Sequence, residues 1–142
     1  MTRTTVHLLR HGEVHNPGLV LYGRLPGFGL SADGQQMARD AALALRDRDV
    51  TVLLASPLQR AQETAGPLAE AFGLEIGTAE RLIESENIFE GRTVGVGDGA
   101  LGSPRNWQHL RNPFRPSWGE PYLQIAQRML AAAEAARDAA IG

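Results

Sequence analysis

Cysteine is absent from this 142-residue chain, which excludes disulfides, thiolate chemistry and cysteine-ligated zinc. Long apolar runs are absent too, and no stretch approaches the roughly 18 residues of a membrane span. The opening MTRTTVHLL lacks the apolar core of about 7–15 residues that marks a secretory leader. A cytoplasmic location without a membrane partner is therefore the default expectation. An excess of either charge is also missing, since 14 basic residues against 16 acidic ones leave a net charge of −2. That balance gives no long-range steering towards nucleic acid, so any anion site has to be built locally from a few arginines. With 43% apolar and 21% charged residues, the composition is that of an ordinary globular protein.

What is present is an alternation of β-branched apolar runs with helical periodicity. Residues 4–9, TTVHLL, read as a first buried strand, and residues 10–16 as the loop at its carboxyl end. The stretch PGLVLYGRLPGFGL (17–30) predicts an irregular loop ordered by Tyr22 and Phe28. Ser31 is a good N-cap for a helix in which Met37, Ala41 and Leu45 recur at helical spacing. VTVLLAS (50–56) reads as a second buried strand. It leads into a helix over PLQRAQETAGPLAEAFG, interrupted or kinked near Gly66 and Pro67 and ended by Gly73. Residues 74–84 offer a short edge strand and a turn. A long excursion over 85–121 holds a short helix around 106–110, and 122–140 form an alanine-rich helix carrying Ile125, Met129 and Leu130. No repeat or linker breaks this order, so a single domain over 1–142 is expected. The alternation predicts an α/β fold with a mostly parallel sheet flanked by helices.

In such sheets, ligands bind beyond the carboxyl ends of the strands. The first strand delivers Arg10 and His11 to that edge. The second ends at Ser56 and puts Arg60 on the first turn of a helix, where free N–H groups favour an anion. Arg10 and Arg60 are thus placed to clamp one phosphate, whose oxygens match the guanidinium fork. His11 lies between them, and neutral imidazole is a capable nucleophile near neutral pH. Departure of the leaving group then needs a proton donor, and Glu84 follows the third strand-like segment. Singly, each residue has an ordinary explanation: a solvated arginine at a strand end, a packing histidine, a capping carboxylate. Their joint placement after successive strands is what points to phosphoryl chemistry.

LLRHGEVHN resembles the RHGxxxxN signature of the histidine phosphatase superfamily, which includes the cofactor-dependent phosphoglycerate mutases. SPLQRAQETA is similar to its second signature, GRLPGFGLSADGQQMA to the segment between them, and RLIESENIFEGR to its glutamate segment. The four motifs follow the family's order over residues 4–93. The resemblance implies a phosphoglycerate mutase-like fold and a phosphomonoester hydrolase working through a phosphohistidine. It assigns His11 as the phosphorylated residue, Glu84 as proton donor, and Arg10, Asn16 and Arg60 as ligands of the substrate phosphate. No metal or organic cofactor is implied. The partner is a small phosphorylated substrate rather than nucleic acid, and a homodimer is compatible with the reading. Gly12 serves a close phosphate approach or only a tight turn, His7 is expected as a satisfied core histidine, and Arg24 and Tyr22 as loop packing.

The chain departs from the mutases, which resemble one another in a longer Trp- and Asn-bearing loop and an ERHYG segment where this chain has ESENIFEG. A phosphatase is therefore preferred over a mutase-like transferase. The stretch RNWQHLRNPFRPSWGEPY stands where a substrate-selecting cap is expected, with Trp107, Phe114 and Trp118 as an apolar contact surface or a small core. The family's second catalytic histidine, on a late strand, has no counterpart here, and His109 lacks its context. This departure leaves a non-catalytic phospho-ligand binder as the alternative from another class. It also carries the expectation that the 142 residues are a fragment or a shortened form whose fold is incomplete at the C-terminus.

Overall fold

The computed structural model describes residues 3–93, 104–110 and 117–141. Three helices dominate: α1 (Ala32–Leu45), α2 (Gln59–Phe72) and α3 (Tyr122–Ile141). Two short strands, β1 (Leu53–Ala55) and β2 (Ile76–Thr78), flank α2 in sequence and pair in parallel, Leu53 opposite Ile76 and Ala55 opposite Thr78. Two parallel strands cannot be joined by a tight turn, and α2 is the crossover that joins them. The result is an α/β fold with helices against a parallel sheet.

Local signals act where they were expected. The Ser31 hydroxyl accepts the Gly34 N–H at 3.0 Å and starts α1. Gly73 ends α2 at φ +64°, a left-handed conformation that costs glycine little, and the N–H groups of Gly73 and Leu74 both turn back to the Ala69 carbonyl. The expected interruption at Gly66–Pro67 is absent, since α2 runs through both residues as one helix. Proline there gives up a single backbone hydrogen bond, and the surrounding turns hold.

Two expectations about the strands are overturned. Residues 4–9 are not a buried strand: they carry no ladder, Leu8 is 76% exposed, Leu9 is 51% exposed, and His7 lies on the surface rather than in a core. Among the described residues nothing bonds to the backbone N–H and C=O groups of 3–10. A β-prone stretch becomes a strand only when a neighbour accepts its hydrogen bonds. The second strand is likewise shortened, from the expected 50–56 to Leu53–Ala55. Helix α1 forms where the periodicity of Met37, Ala41 and Leu45 placed a helix, and it turns inward the stripe carrying Gly34, Ala38 and Ala42, with Met37 53% exposed.

The inward face of α1 follows from backbone crowding. A Cβ on Gly12 would run into the carbonyl oxygen of Gly34, and a Cβ on Gly34 into that of Glu13. The first turn of α1 therefore lies directly on the chain at 12–13, and small residues must face it. This contact gives Gly12 a structural reason of its own. The loop is stitched by Ser31 N to Glu13 O, His15 N to Gly29 O and the Ser31 hydroxyl to the Glu13 carboxylate at 2.6 Å. The core that results is small and alanine-rich: Ala38, Ala42, Ala55, Ala65 and Ala132 with Leu30, Leu68 and Phe89. Helix α3 contributes only Ala132 to it and rests on the 3-10 turn Glu80–Leu82. Around Trp118, Ile88 N donates to the Trp118 carbonyl at 2.8 Å and Asn87 bridges Gly119. Trp107, in the 3-10 helix Pro104–Leu110, is 61% exposed, Phe114 lies outside the described residues, and so does the side chain of His109.

Gly34→Ala should lower the urea midpoint by the equivalent of about 1–3 kcal/mol, because neither backbone can yield. Gly66→Ala, whose Cβ meets nothing within 4 Å, should raise it by about 0.4–1 kcal/mol through loss of unfolded-state freedom. Equal effects from the two substitutions would contradict the close approach.

Candidate active site

The carboxyl end of β1 passes through Ser56 into the first turn of α2, where Arg60 is 1% exposed. A buried guanidinium demands acceptors, and the loop after residue 21 supplies them. Arg60 Nη2 donates to the Gly23 carbonyl at 2.6 Å, and its Cζ lies 4.8 Å from the centre of the Tyr22 ring. Tyr22 stacks in turn on Phe28, with ring centres 5.2 Å apart. The Glu84 carboxylate stands 3.7 Å from Arg60 Nη2. Arg60 Nε, although buried, has no hydrogen-bond partner among the described residues. A buried donor left without a partner calls for a specific explanation. Beside it, a cleft of about 280 Å³ opens between residues 24–28 and 57–60.

His11 reaches this turn through the backbone. Gly12 N donates to Thr64 Oγ1 at 3.1 Å, and that hydroxyl donates to the carbonyl of Arg60 at 2.7 Å. Residue 12 is therefore tethered one helical turn from Arg60. The half-buried His11 ring holds the Gly12 carbonyl with Nδ1 at 2.8 Å. A carbonyl only accepts, so Nδ1 carries the hydrogen, and Nε2 takes no part in this bond.

The remaining candidates stand differently. Arg10 is exposed and makes no hydrogen bond or ion pair with a described residue. Asn16 uses its side-chain amide within the loop, donating to Val20 O at 2.9 Å and accepting from Val20 N at 3.0 Å. The structure thus brings Arg60 and Glu84 face to face and ties the His11–Gly12 peptide to the same helix turn. It leaves Arg10 at the surface and gives Asn16 a loop-closing task. No cluster of three or more metal-ligating side chains occurs among the described residues.

Sequence reasoning missed a set of ion pairs behind Glu84. Arg24 Nε donates to the Glu84 carbonyl at 2.6 Å, Nη1 meets Glu86 at 2.8 Å, and Nη2 lies 3.5 Å from Glu120. Arg128, on α3, grips Glu120 with two parallel bonds of 2.8 and 2.9 Å and donates to Arg81 O at 2.7 Å. Glu90 accepts the Arg24 N–H at 3.0 Å. Thr64 was also missed, although its spacing four residues after Arg60 was a usable signal.

The hydrogen bonds from Arg128 hold the Glu120 carboxyl below its ordinary pKa, with the charges of Arg128 and Arg24 adding to them against the opposing effect of burial. A carboxylate depressed in this way stabilises the fold above the ordinary glutamate range, and the contribution is lost as pH falls through its folded value. The urea midpoint should drop on acidification to about pH 3, and it should drop less in Glu120→Gln. An identical acid profile for the variant would show that the pair carries no linkage.

Residues 6–142 match the family described as histidine phosphatase superfamily (branch 1). The uncharacterized protein Rv0525 of Mycobacterium tuberculosis is 61% identical over 134 residues, covering 94% of this chain and 66% of that protein. A probable phosphoglycerate mutase, GpmB, of Escherichia coli is 31% identical over 139 residues, covering 94% of this chain and 63% of its own. The solved structure of the mycobacterial glucosyl-3-phosphoglycerate phosphatase Rv2419c with VO3 is similar at a TM-score of 0.69 and 29% identity, over 88% of this chain and 62% of that one. The chain therefore spans slightly less than two thirds of the length of these relatives.

Proposed function

This chain belongs to the histidine phosphatase superfamily, and from that premise we propose that it hydrolyses phosphate monoesters through a phosphohistidine on His11. The observation that carries the reading is the buried Arg60, with an unspent Nε donor and the Glu84 carboxylate 3.7 Å from its Nη2. A fixed positive charge placed where phosphoryl oxygens gather charge is the main requirement of such a site.

In this mechanism, His11 Nε2 attacks phosphorus, the ester P–O bond breaks, and the departing oxygen takes a proton from Glu84. Water then attacks the phosphohistidine, gives a proton to the Glu84 carboxylate, and releases inorganic phosphate. Arg60 and Arg10 hold the non-bridging oxygens, Arg10 from its exposed position at the end of segment 3–10. Asn16 acts by closing the loop that follows His11. No metal or organic cofactor takes part. The substrate is a small phosphorylated molecule, the setting is the cytoplasm, and the relatives include both phosphatases and mutase-like proteins.

The test is hydrolysis of aryl phosphates by the full chain. His11→Ala should abolish turnover and the acid-labile phosphoprotein, and EDTA should leave both unchanged. Glu84→Gln should slow phenyl phosphate by about 100-fold or more while sparing dinitrophenyl phosphate, whose leaving group needs no proton. Persistent turnover in His11→Ala overturns the reading. Interconversion of phosphoglycerates would favour a transferase, and vanadate binding with no turnover a phospho-ligand binder.

A further inference from the structure

The carboxylate proposed as the acid is poorly held by its own contacts. Its side chain is 44% exposed, and Oε1 accepts only a long bond, 3.3 Å, from the adjoining Ser85 N–H. Oε2 approaches Arg60 no closer than 3.7 Å. What fixes residue 84 is its main chain, through the 2.6 Å bond from Arg24 Nε to the Glu84 carbonyl.

Arg24 follows directly on Gly23, whose carbonyl holds Arg60 Nη2 at 2.6 Å. Two adjacent residues therefore hold the two sides of the site, Gly23 the buried Arg60 and Arg24 the backbone of Glu84. A side chain on Gly23, at φ +40°, would collide with the Glu90 carboxylate, which accepts the Arg24 N–H. The loop and the Glu90 carboxylate are thus in close contact at this step. Through Glu120 and Arg128 the same guanidinium is linked to α3, a helix of twenty residues.

We propose that Arg24 is the positioning residue that sets the Glu84 carboxylate against Arg60, an inference resting on the phosphatase reading above. Arg24 borders the cleft, but Nε, Nη1 and Nη2 are each directed at acceptors of the protein itself. It acts on the acid, not on the phosphate. Lysine has neither the planar fork nor the reach to hold a carbonyl and two carboxylates in separate directions.

The experiment compares kcat and KM of the full chain, Arg24→Gln, Arg24→Lys, Glu84→Gln and the double variant Arg24→Gln/Glu84→Gln on phenyl and dinitrophenyl phosphate. Arg24→Gln should lower kcat on phenyl phosphate by about tenfold or more, with a much smaller change on the dinitrophenyl ester and with KM kept on both. Arg24→Lys should fall between, and the double variant should be no slower on phenyl phosphate than Glu84→Gln. Equal losses on both esters, a rise confined to KM, or losses that multiply in the double variant would overturn the inference. If circular dichroism shows Arg24→Gln unfolded, the ratio of the two esters in Arg24→Lys decides by the same criteria. Glu84→Gln separates the two levels of argument. If it slows both esters alike, the acid assignment fails whatever Arg24 does. If it discriminates and the Arg24 variants do not, Arg24 alone fails. A parent chain that turns over neither ester overturns both.

Discussion

Burying the guanidinium of Arg60 constrains how the surrounding loops run. A charge removed from water costs several kcal/mol unless acceptors and counter-charges replace the hydration. The Gly23 carbonyl, the face of Tyr22 and the Glu84 carboxylate together supply that replacement. They come from segments sixty residues apart in sequence, so the loop over 22–25 and the stretch around 84–90 must meet over the first turn of α2. The antiparallel contact between 20–21 and 91–93 closes the same ring from behind. The site is thus less an addition to the fold than the reason the loops are ordered where they are.

The second layer consists of arginine and glutamate alone. All 14 basic residues of the chain are arginines, and the two nearest Glu84 and Glu120 use their forks in several directions at once. Arg24 and Arg128 each join a carboxylate to a backbone carbonyl. Such pairs add modestly to stability when exposed. Their value here is geometric, because carbonyls of the main chain are fixed points and a planar cation transmits that fixity to the next segment.

The sequence made legible whatever depends on near neighbours. The Ser31 cap, the left-handed stop at Gly73 and the position of Arg60 on the opening turn of α2 all follow from residues within a few positions of one another. Legibility ended where a distant partner decides. TTVHLL has the composition of a strand but no described neighbour to pair with, so it forms no ladder and lies largely exposed. In α1 the spacing of Met37, Ala41 and Leu45 reported a helix but not its inward face, which the near-contact of Gly12 with Gly34 turns to the alanines. Arg24 read as loop packing because Glu84, Glu86 and Glu120 lie 60 to 96 residues away, and nothing in local spacing reports an encounter at that range.

The uncovered segment over residues 4–9 has a consequence for the chain in concentrated solution. It is six residues long, β-prone, free of charge, glycine and proline, and no described residue bonds to its backbone groups. These are the attributes of a segment that stacks with copies of itself in a steric zipper. Arg3 and Arg10 stand immediately at its two ends, and in a parallel, in-register stack each would face its own charge in every layer. Arg10 therefore also acts as a gatekeeper. Its replacement by a neutral residue would remove one of two charges that oppose fibril formation.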